Sequence, residues 1–333
     1  METTSRATEK LLILSGLPGV GPIALGSVLR IPQFAERDFE EIGRFTPAIA
    51  KGLAQPGGLA SAEDRARKNL RAAEEDGAVV LSPADEEYPA LLAETHDRPA
   101  FLYVKGDLAP THRRSVGVIG TREPTEHGRI IARRMTTYFA EAGWSIVSGL
   151  ALGIDGVAHE AALDAGGHTV AVLAHGLDTI TPKRHTKLAE RILSSGGAWV
   201  TEYPYGTAPY GPNYVKRDRI QAGLSQAIIL IQTDVQGGSL HATRAALEYG
   251  RIVAYPVPTR VDVDRGEPKI QGVLKLHHGP RREVADFLRC RLDALDGLRP
   301  VESKEDYPSL ERMIAQWESS RRSRSTDLFE QAV

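Results

Sequence analysis

The chain has 333 residues, 41% hydrophobic and 25% charged, with a formal net charge of −2. These are values ordinary for a globular protein of about two domains. A single cysteine, Cys290, excludes an internal disulfide and any multi-cysteine metal site. The longest apolar runs are strand-sized, so no transmembrane helix is read and no membrane partner is expected. No signal-peptide core precedes the break at Gly16–Pro18, and a cytoplasmic protein is the expectation. The charge is unevenly spread: Lys183 to Arg219 holds seven Lys/Arg against three Asp/Glu. A local patch could therefore meet a polyanion despite the near-neutral total.

Residues 8 to about 75 read as helical. Leu11–Leu14 leads into Leu17-Pro18-Gly19-Val20-Gly21, and Ile23, Leu25 and Val28 follow at helical spacing. Hydrophobe-x-Gly-hydrophobe-Gly between short helices suits a helix-hairpin-helix (or SAM-like) module whose turn offers N–H groups to a phosphate. It equally suits a tight turn inside a small helical module. Gln55–Gly58 marks a break, and Ala62–Glu75 is a charged helix.

Apolar runs at 77–81, 98–106, 116–119, 145–148, 167–174, 198–202, 227–231 and 252–257 read as strands, separated from the third onward by helical stretches. Continuous rather than alternating apolar residues indicate parallel strands covered on both faces. The expected fold is α/β: a Rossmann-like, doubly wound, mainly parallel sheet carrying an N-terminal helical module. The domain reading is 1–76 helical, 77–296 Rossmann-like and 297–333 a polar tail. Arg281–Asp296 reads as one amphipathic helix with Val284, Phe287, Leu288, Leu292 and Leu295 on a face. Ser319–Ser325 reads as a solvated charged run.

Four groups could carry chemistry. Gly120-Thr121-Arg122 follows a strand, so its guanidinium could fork onto a phosphate; a capping Thr with a surface Arg would look the same. Ser148-Gly149-Leu150-Ala151-Leu152-Gly153-Ile154-Asp155 holds glycines that admit a ligand, or form an ordinary turn. Asn213-Tyr214-Val215-Lys216-Arg217-Asp218-Arg219-Ile220-Gln221-Ala222-Gly223-Leu224-Ser225 interleaves cations with rings, as a single strand of nucleic acid requires, against the alternative of a solvated helix face. Gly237-Gly238-Ser239 precedes a helix and forms another anion nest or a tight βα turn. His159 reads as a packed polar residue. No Gly-x-Ser-x-Gly elbow, Walker A lysine, dinucleotide-type acid or zincin spacing is found. Anion-binding turns without a catalytic set favour binding over turnover, and no catalytic residue, metal or cofactor is assigned.

The order of these motifs resembles the DNA-processing protein A (DprA, or Smf) family over roughly Gly77 to Asp286. The matching stretches are Tyr88-Pro89-x-x-Leu92, Val118-x-Gly120-Thr121-Arg122, Ser148-Gly149-Leu150-Ala151-x-Gly153-Ile154-Asp155 with Ala158-His159, and Gly176-Leu177-Asp178. Asn213 with Arg217, Arg219 and Gly223-Leu224-Ser225, then Gly238-Ser239-Leu240-x-Ala242-Thr243, complete them. The resemblance implies a cytoplasmic single-stranded-DNA-binding protein, homodimeric through its Rossmann-like domain, that protects incoming strands in natural transformation and loads a RecA-type recombinase. It implies a DNA site of Gly120, Thr121, Arg122, Ser148, Gly149, Gly153, Asn213, Lys216, Arg217, Arg219, Gly238 and Ser239. Arg122, Lys216 and Arg217 would touch phosphates.

Three departures from the family pattern stand out. Leu152 replaces an arginine, Asp218 replaces an asparagine between two arginines, and no winged-helix pattern follows the sheet. Two other readings stay open. One is a nucleotide-binding sensor or nucleoside-phosphate hydrolase of the same superfamily, faintly suggested by Gly237-Gly238-Ser239 with Thr243 and Glu248. The other is a member serving phage defence.

Overall fold

A computed structural model describes residues 4–112 and 114–316. The N-terminal helices are α1 (Arg6–Ser15), α2 (Pro22–Val28), α3 (Phe39–Phe45), α4 (Pro47–Leu53) and α5 (Gly58–Glu75). Their apolar faces close on one another through Leu11, Leu14, Leu25, Val28, Ile42 and Ile49. Ser5 starts α1 by accepting a hydrogen bond from the Thr8 amide at 3.1 Å, the usual remedy for an unpaired first-turn N–H. In the turn between α1 and α2, Gly19 takes a φ of 77°, which a side chain would disfavour.

The strands are β1 (Ala78–Leu81), β2 (Leu102–Gly106), β3 (Ser115–Ile119), β4 (Ser145–Ser148), β5 (Thr169–Val172), β6 (Ala198–Thr201), β7 (Ala227–Leu230), β8 (Ile252–Pro256) and β9 (Leu298–Val301). They make one sheet in the order β1-β2-β6-β5-β4-β3-β7-β8-β9. β2 pairs antiparallel with both β1 and β6, and every other pairing is parallel. β3 to β8 are buried along their whole length, as continuous apolar runs require.

Between the strands lie α6 (Ala90–Ala93), α7 (Glu126–Glu141), α8 (Ile154–Asp164), α9 (Thr186–Ser194), α10 (Gly211–Gly223) and α11 (Ser239–Glu248). After β8 come α12 (Arg260–Asp264), α13 (Gln271–His278) and α14 (Arg281–Leu288). Alternate strand residues face opposite layers. Val116, Val118 and Ile229 pack with α7 and α8, while Ile228, Leu230 and Val253 pack with α11, α13 and α14. From β3 the chain winds outward through β4, β5 and β6, then returns to place β7 on the other side of β3. That reversal opens a crevice at the carboxyl ends of β3 and β7, where doubly wound sheets bind ligands.

Two expectations are corrected. Residues 297–316 are not tail: β9 pairs with β8, residues 307–316 are helical, and Tyr307, Leu310 and Ile314 enter the core beside Phe139 and Trp144. Glu311 fixes that segment, accepting from Tyr138 Oη at 2.9 Å and Trp144 Nε1 at 3.0 Å. The stretch 281–296 is also not one helix. Arg289 takes a φ of 50° and ends α14, a short 3-10 turn follows, and Leu292 is left exposed. The Ser319–Ser325 run lies outside the described residues.

Candidate nucleic-acid interface

The turn after β3 is held from below. The Thr121 amide donates to the Gln232 carbonyl at 2.8 Å. The Gln232 side chain accepts from the Thr125 amide at 3.0 Å and donates to Thr125 Oγ1 at 2.9 Å. Thr125 Oγ1 also accepts from the Gly128 amide at 3.0 Å, capping α7. Gln232 thus ties the end of β7 to the loop carrying Arg122, leaving Arg122 exposed with its guanidinium 5.6 Å from the centre of the Tyr214 ring.

The turn after β4 folds around Asp155. Its Oδ2 accepts from the amides of Gly149 at 3.1 Å and Ala151 at 3.3 Å. Leu150 sits buried at a φ of 60°, a conformation costly for a branched residue that the surrounding contacts must hold. Its carbonyl lies 2.8 Å from His185 Nδ1. Gly153, at φ 81°, passes so close to the first turn that a Cβ would come within 2.4 Å of the Thr121 carbonyl oxygen.

Between the two turns and the start of α11 lies a cavity of about 790 Å³, within the size range of small-ligand sites. Its lining includes Gly120, Thr121, Arg122, Gly237, Gly238 and Ser239, where amides and a cation suit an anion. It also includes the mostly apolar Ala151, Leu152, Pro182, Gly211, Tyr214 and Val215. Arg217, Asp218 and Gln221 of α10 line it too, with Asp155. Lys269 reaches the cavity, paired with Glu123 at 3.4 Å and Asp234 at 3.3 Å.

Of the residues assigned from sequence, Gly120, Thr121, Arg122, Gly149, Arg217, Gly238 and Ser239 line this cavity, and Ser148, Gly153, Asn213, Lys216 and Arg219 do not. Ser148 is buried and donates to the Val118 carbonyl at 2.7 Å, pinning β4 to β3. Lys216 is exposed on α10 outside the cavity lining. Arg219 turns away to Glu202 at 2.5 Å and Asp97 at 3.8 Å. The reason is helical geometry: successive residues point about 100° apart, so four in a row cannot share one ligand. Tyr214, Arg217, Asp218 and Gln221 share the cavity face at helical spacing instead.

Arg217 is not a surface cation either. It is 3% exposed and lies against Gly149, where a Cβ would fall 1.6 Å from its Nη1. Its Nε is 3.5 Å from Asp218 Oδ1, which also accepts from Gln221 Nε2 at 3.1 Å. Arg217 Nε and Nη1 and Gln221 Oε1 carry no hydrogen bond.

Burial, reinforced by the Asp155 charge and opposed by Arg217 and Arg122, pushes the Asp218 carboxyl up to about 7. The charge read from sequence as intruding among cations is therefore partly neutralised at neutral pH. The folded state holds this proton between the ordinary carboxylate range and about pH 7, so stability falls as pH rises through that window. Asp218→Asn removes the effect. In urea titrations from pH 5 to 8, its stability gain over wild type is expected to grow by up to about 1.4 kcal/mol per pH unit, then level off above pH 7. His159 is fully buried against Thr169 Oγ1 at 2.7 Å, and burial lowers it to about 3, which makes it a neutral packing residue as read.

Among the described residues no group of His, Cys, Asp and Glu could hold a metal ion, and no helix is long and apolar enough to cross a membrane. The sequence patterns did not single out Gln232, Asp234 or Lys269, which tertiary contact brings to the crevice or beneath it, whereas Gln221 belongs to the Asn213–Ser225 group and reaches the cavity by helical spacing from Arg217.

Fold and cavity define a doubly wound α/β protein with a ligand crevice at its topological switch point. Residues 79–279 match the family model for DNA recombination-mediator protein A, and the chain belongs to that family. Protein Smf of Escherichia coli is 43% identical over 180 residues, covering 54% of this chain and 48% of that protein. DNA processing protein DprA of Bacillus subtilis is 37% identical over 190 residues, covering 57% and 63%. The chain thus spans about half to under two thirds of the length of these relatives. The structure of DNA processing protein A from Streptococcus pneumoniae superposes with a TM-score of 0.67 at 26% identity, covering 92% of this chain and 98% of that one. A Helicobacter pylori DNA processing protein A, solved for its single-stranded DNA binding mode, shares the fold with a TM-score of 0.57 at 24% identity, covering 71% and 96%.

Proposed function

We propose that this crevice binds single-stranded DNA in the service of recombination. One observation carries the reading: anion-type turns with an exposed Arg122 line the same cavity as the Tyr214 ring, whose centre lies 5.6 Å from that guanidinium. A phosphodiester and an unstacked base need those two surfaces at once, because cations follow the backbone while rings take base faces. Arg122, Thr121, Gly120, Gly238 and Ser239 would meet phosphate. Lys216, exposed beyond the cavity, would extend the cationic path. Arg217 would set the cavity's charge from beneath. Family membership supports a RecA-type recombinase as the partner, a homodimer as the working form and natural transformation as the setting. It also supports a cytoplasmic binding protein rather than an enzyme.

The test is fluorescence anisotropy with a labelled 20-mer of dT and its duplex counterpart, over a salt series. Single strands are expected to bind more tightly, with Arg122→Ala weakening binding and reducing the log–log salt slope by about 0.7, the value of one phosphate contact on a single strand. Salt-independent or absent binding, with a mononucleotide retained instead, would overturn it in favour of a nucleotide sensor.

A further inference from the structure

For a crevice that is to hold a phosphodiester strand, the lining carries too many carboxyl groups. Its cations are Arg122, Arg217 and Lys269. Against them stand Glu123, Asp155, Asp218 and Asp234, so one negative charge is left over when every carboxyl is ionised. Lys269 is shared between Glu123 at 3.4 Å and Asp234 at 3.3 Å. Arg217 is likewise shared between Asp155 and Asp218, acting on both. A polyanion entering this lining meets an excess of its own charge unless a carboxyl takes up a proton.

Hydrogen bonding singles out the carboxyl that does so. Asp155 Oδ2 accepts from the amides of Gly149 at 3.1 Å and Ala151 at 3.3 Å, and such bonds favour the ionised form. Asp218 has only the Gln221 side-chain amide, at 3.1 Å, and the Arg217 Nε at 3.5 Å, while its side chain is 14% exposed. Burial accordingly lifts it to about 7. The charges that act on it are Arg217 on α10, Asp155 from the turn after β4 and Arg122 from the turn after β3. Of the elements packed on α10, α6 and β5 hold no ionisable side chain, and the His241, Arg244 and Glu248 of α11 do not act on it. Around Arg217 lie His159 and His175, which burial keeps neutral, and His185 stands on the Leu150 carbonyl.

We propose that Asp218 takes up a proton when the strand binds, so that single-stranded DNA is held more tightly as pH falls through neutrality. The proposal rests on the single-stranded-DNA reading above. Arg122, assigned there to phosphate, is one of the two cations that favour the Asp218 carboxylate. A phosphate that engages Arg122 withdraws that support and adds a repulsion of its own, and both raise the Asp218 carboxyl in the complex. Affinity is then full below about pH 7 and is lost as pH rises through the free and then the bound value.

The experiment is fluorescence anisotropy with the labelled 20-mer of dT on the full chain, at fixed ionic strength from pH 5.5 to 8.5. Wild type is expected to bind at least about fivefold more tightly at pH 6.5 than at pH 8.5, since each unit by which the strand raises the carboxyl is about tenfold in affinity. Asp218→Asn is expected to stay within about twofold over the same range, because a neutral amide has no proton to exchange. Calorimetry at pH 7.5 in two buffers of different ionisation enthalpy should show uptake of part of one proton on binding in wild type and none in Asp218→Asn. A flat wild-type profile, an affinity that rises with pH, or a profile that Asp218→Asn retains, as titration of His185 would give, overturns the proposal and leaves single-strand binding standing. Failure of the 20-mer to bind at any pH would instead overturn the underlying reading.

Discussion

Gly149→Ala is expected to weaken single-strand binding at least about tenfold, although Gly149 carries no chemistry of its own. An alanine Cβ would stand 1.6 Å from Arg217 Nη1 and 2.5 Å from its Cζ, so the guanidinium must leave. Its departure strands two inward-facing carboxyl groups, Asp155 and Asp218, without their cation. Removing one member of such a buried charge cluster costs about 3–5 kcal/mol, less whatever the carboxyls recover by taking up protons. We expect about 2–3 kcal/mol for Gly149→Ala in urea titration. Arg217→Ala should produce a loss of similar size and a similar fall in affinity. The double variant is the decisive measurement. With the guanidinium already gone, the alanine has nothing to displace, so Gly149→Ala in the Arg217→Ala background should add less than about 1 kcal/mol. Additive losses would show that the glycine acts by another route. Gly238→Ala makes a useful contrast, because a Cβ there meets nothing within 4 Å. It should leave stability within about 0.5 kcal/mol, so any fall in affinity would report the approach of ligand itself.

The strands and anion turns were legible because each is written locally. Ala227–Ile231 is a continuous apolar run, Gly120 and Gly149 stand just beyond strand ends where the backbone passes close to a neighbour, and Gly238 stands just before a helix. What was not legible depends on contacts between distant residues. β9 reads Leu-Arg-Pro-Val, which has no strand signal, and it forms because the free edge of β8 accepts it. Residues 307–316 place Tyr307, Leu310 and Ile314 at helical spacing among polar neighbours, and what that short face packs on, Phe139 and Trp144, is far away in the chain. The Lys216–Arg219 cluster misled for a different reason: a run of charges in sequence becomes a fan of directions on a helix. Only the part sharing a face with Tyr214 and Gln221 reaches the crevice. Leu152, where the family commonly carries arginine, does line the cavity, at 36% exposure, so the lost cation is replaced by an apolar side chain.

Arg219 makes that distinction testable, because a cation outside the crevice should fail in stability and not in electrostatics. Its guanidinium pairs with Glu202 and approaches Asp97, which in turn accepts from Tyr249 Oη. Burial pushes the Glu202 carboxyl upward and Arg219 opposes the shift, so the pair depends on both members. Arg219 Nη1 and Glu202 Oε1 are already unpaired and buried, and the cluster has little spare bonding to absorb a loss. Arg219→Ala is therefore expected to destabilise the fold by about 3 kcal/mol, since it leaves Glu202 buried and uncompensated. Glu202→Gln should restore part of that in the double variant, because a neutral amide needs no counter-charge. Under conditions where the variant remains folded, its salt slope for single-stranded DNA should match wild type, in contrast to Arg122→Ala. If Arg219→Ala were fully stable and reduced the salt slope by about 0.7, Arg219 would have to reach phosphate, and α10 would have to present a different face to the strand than its packing allows.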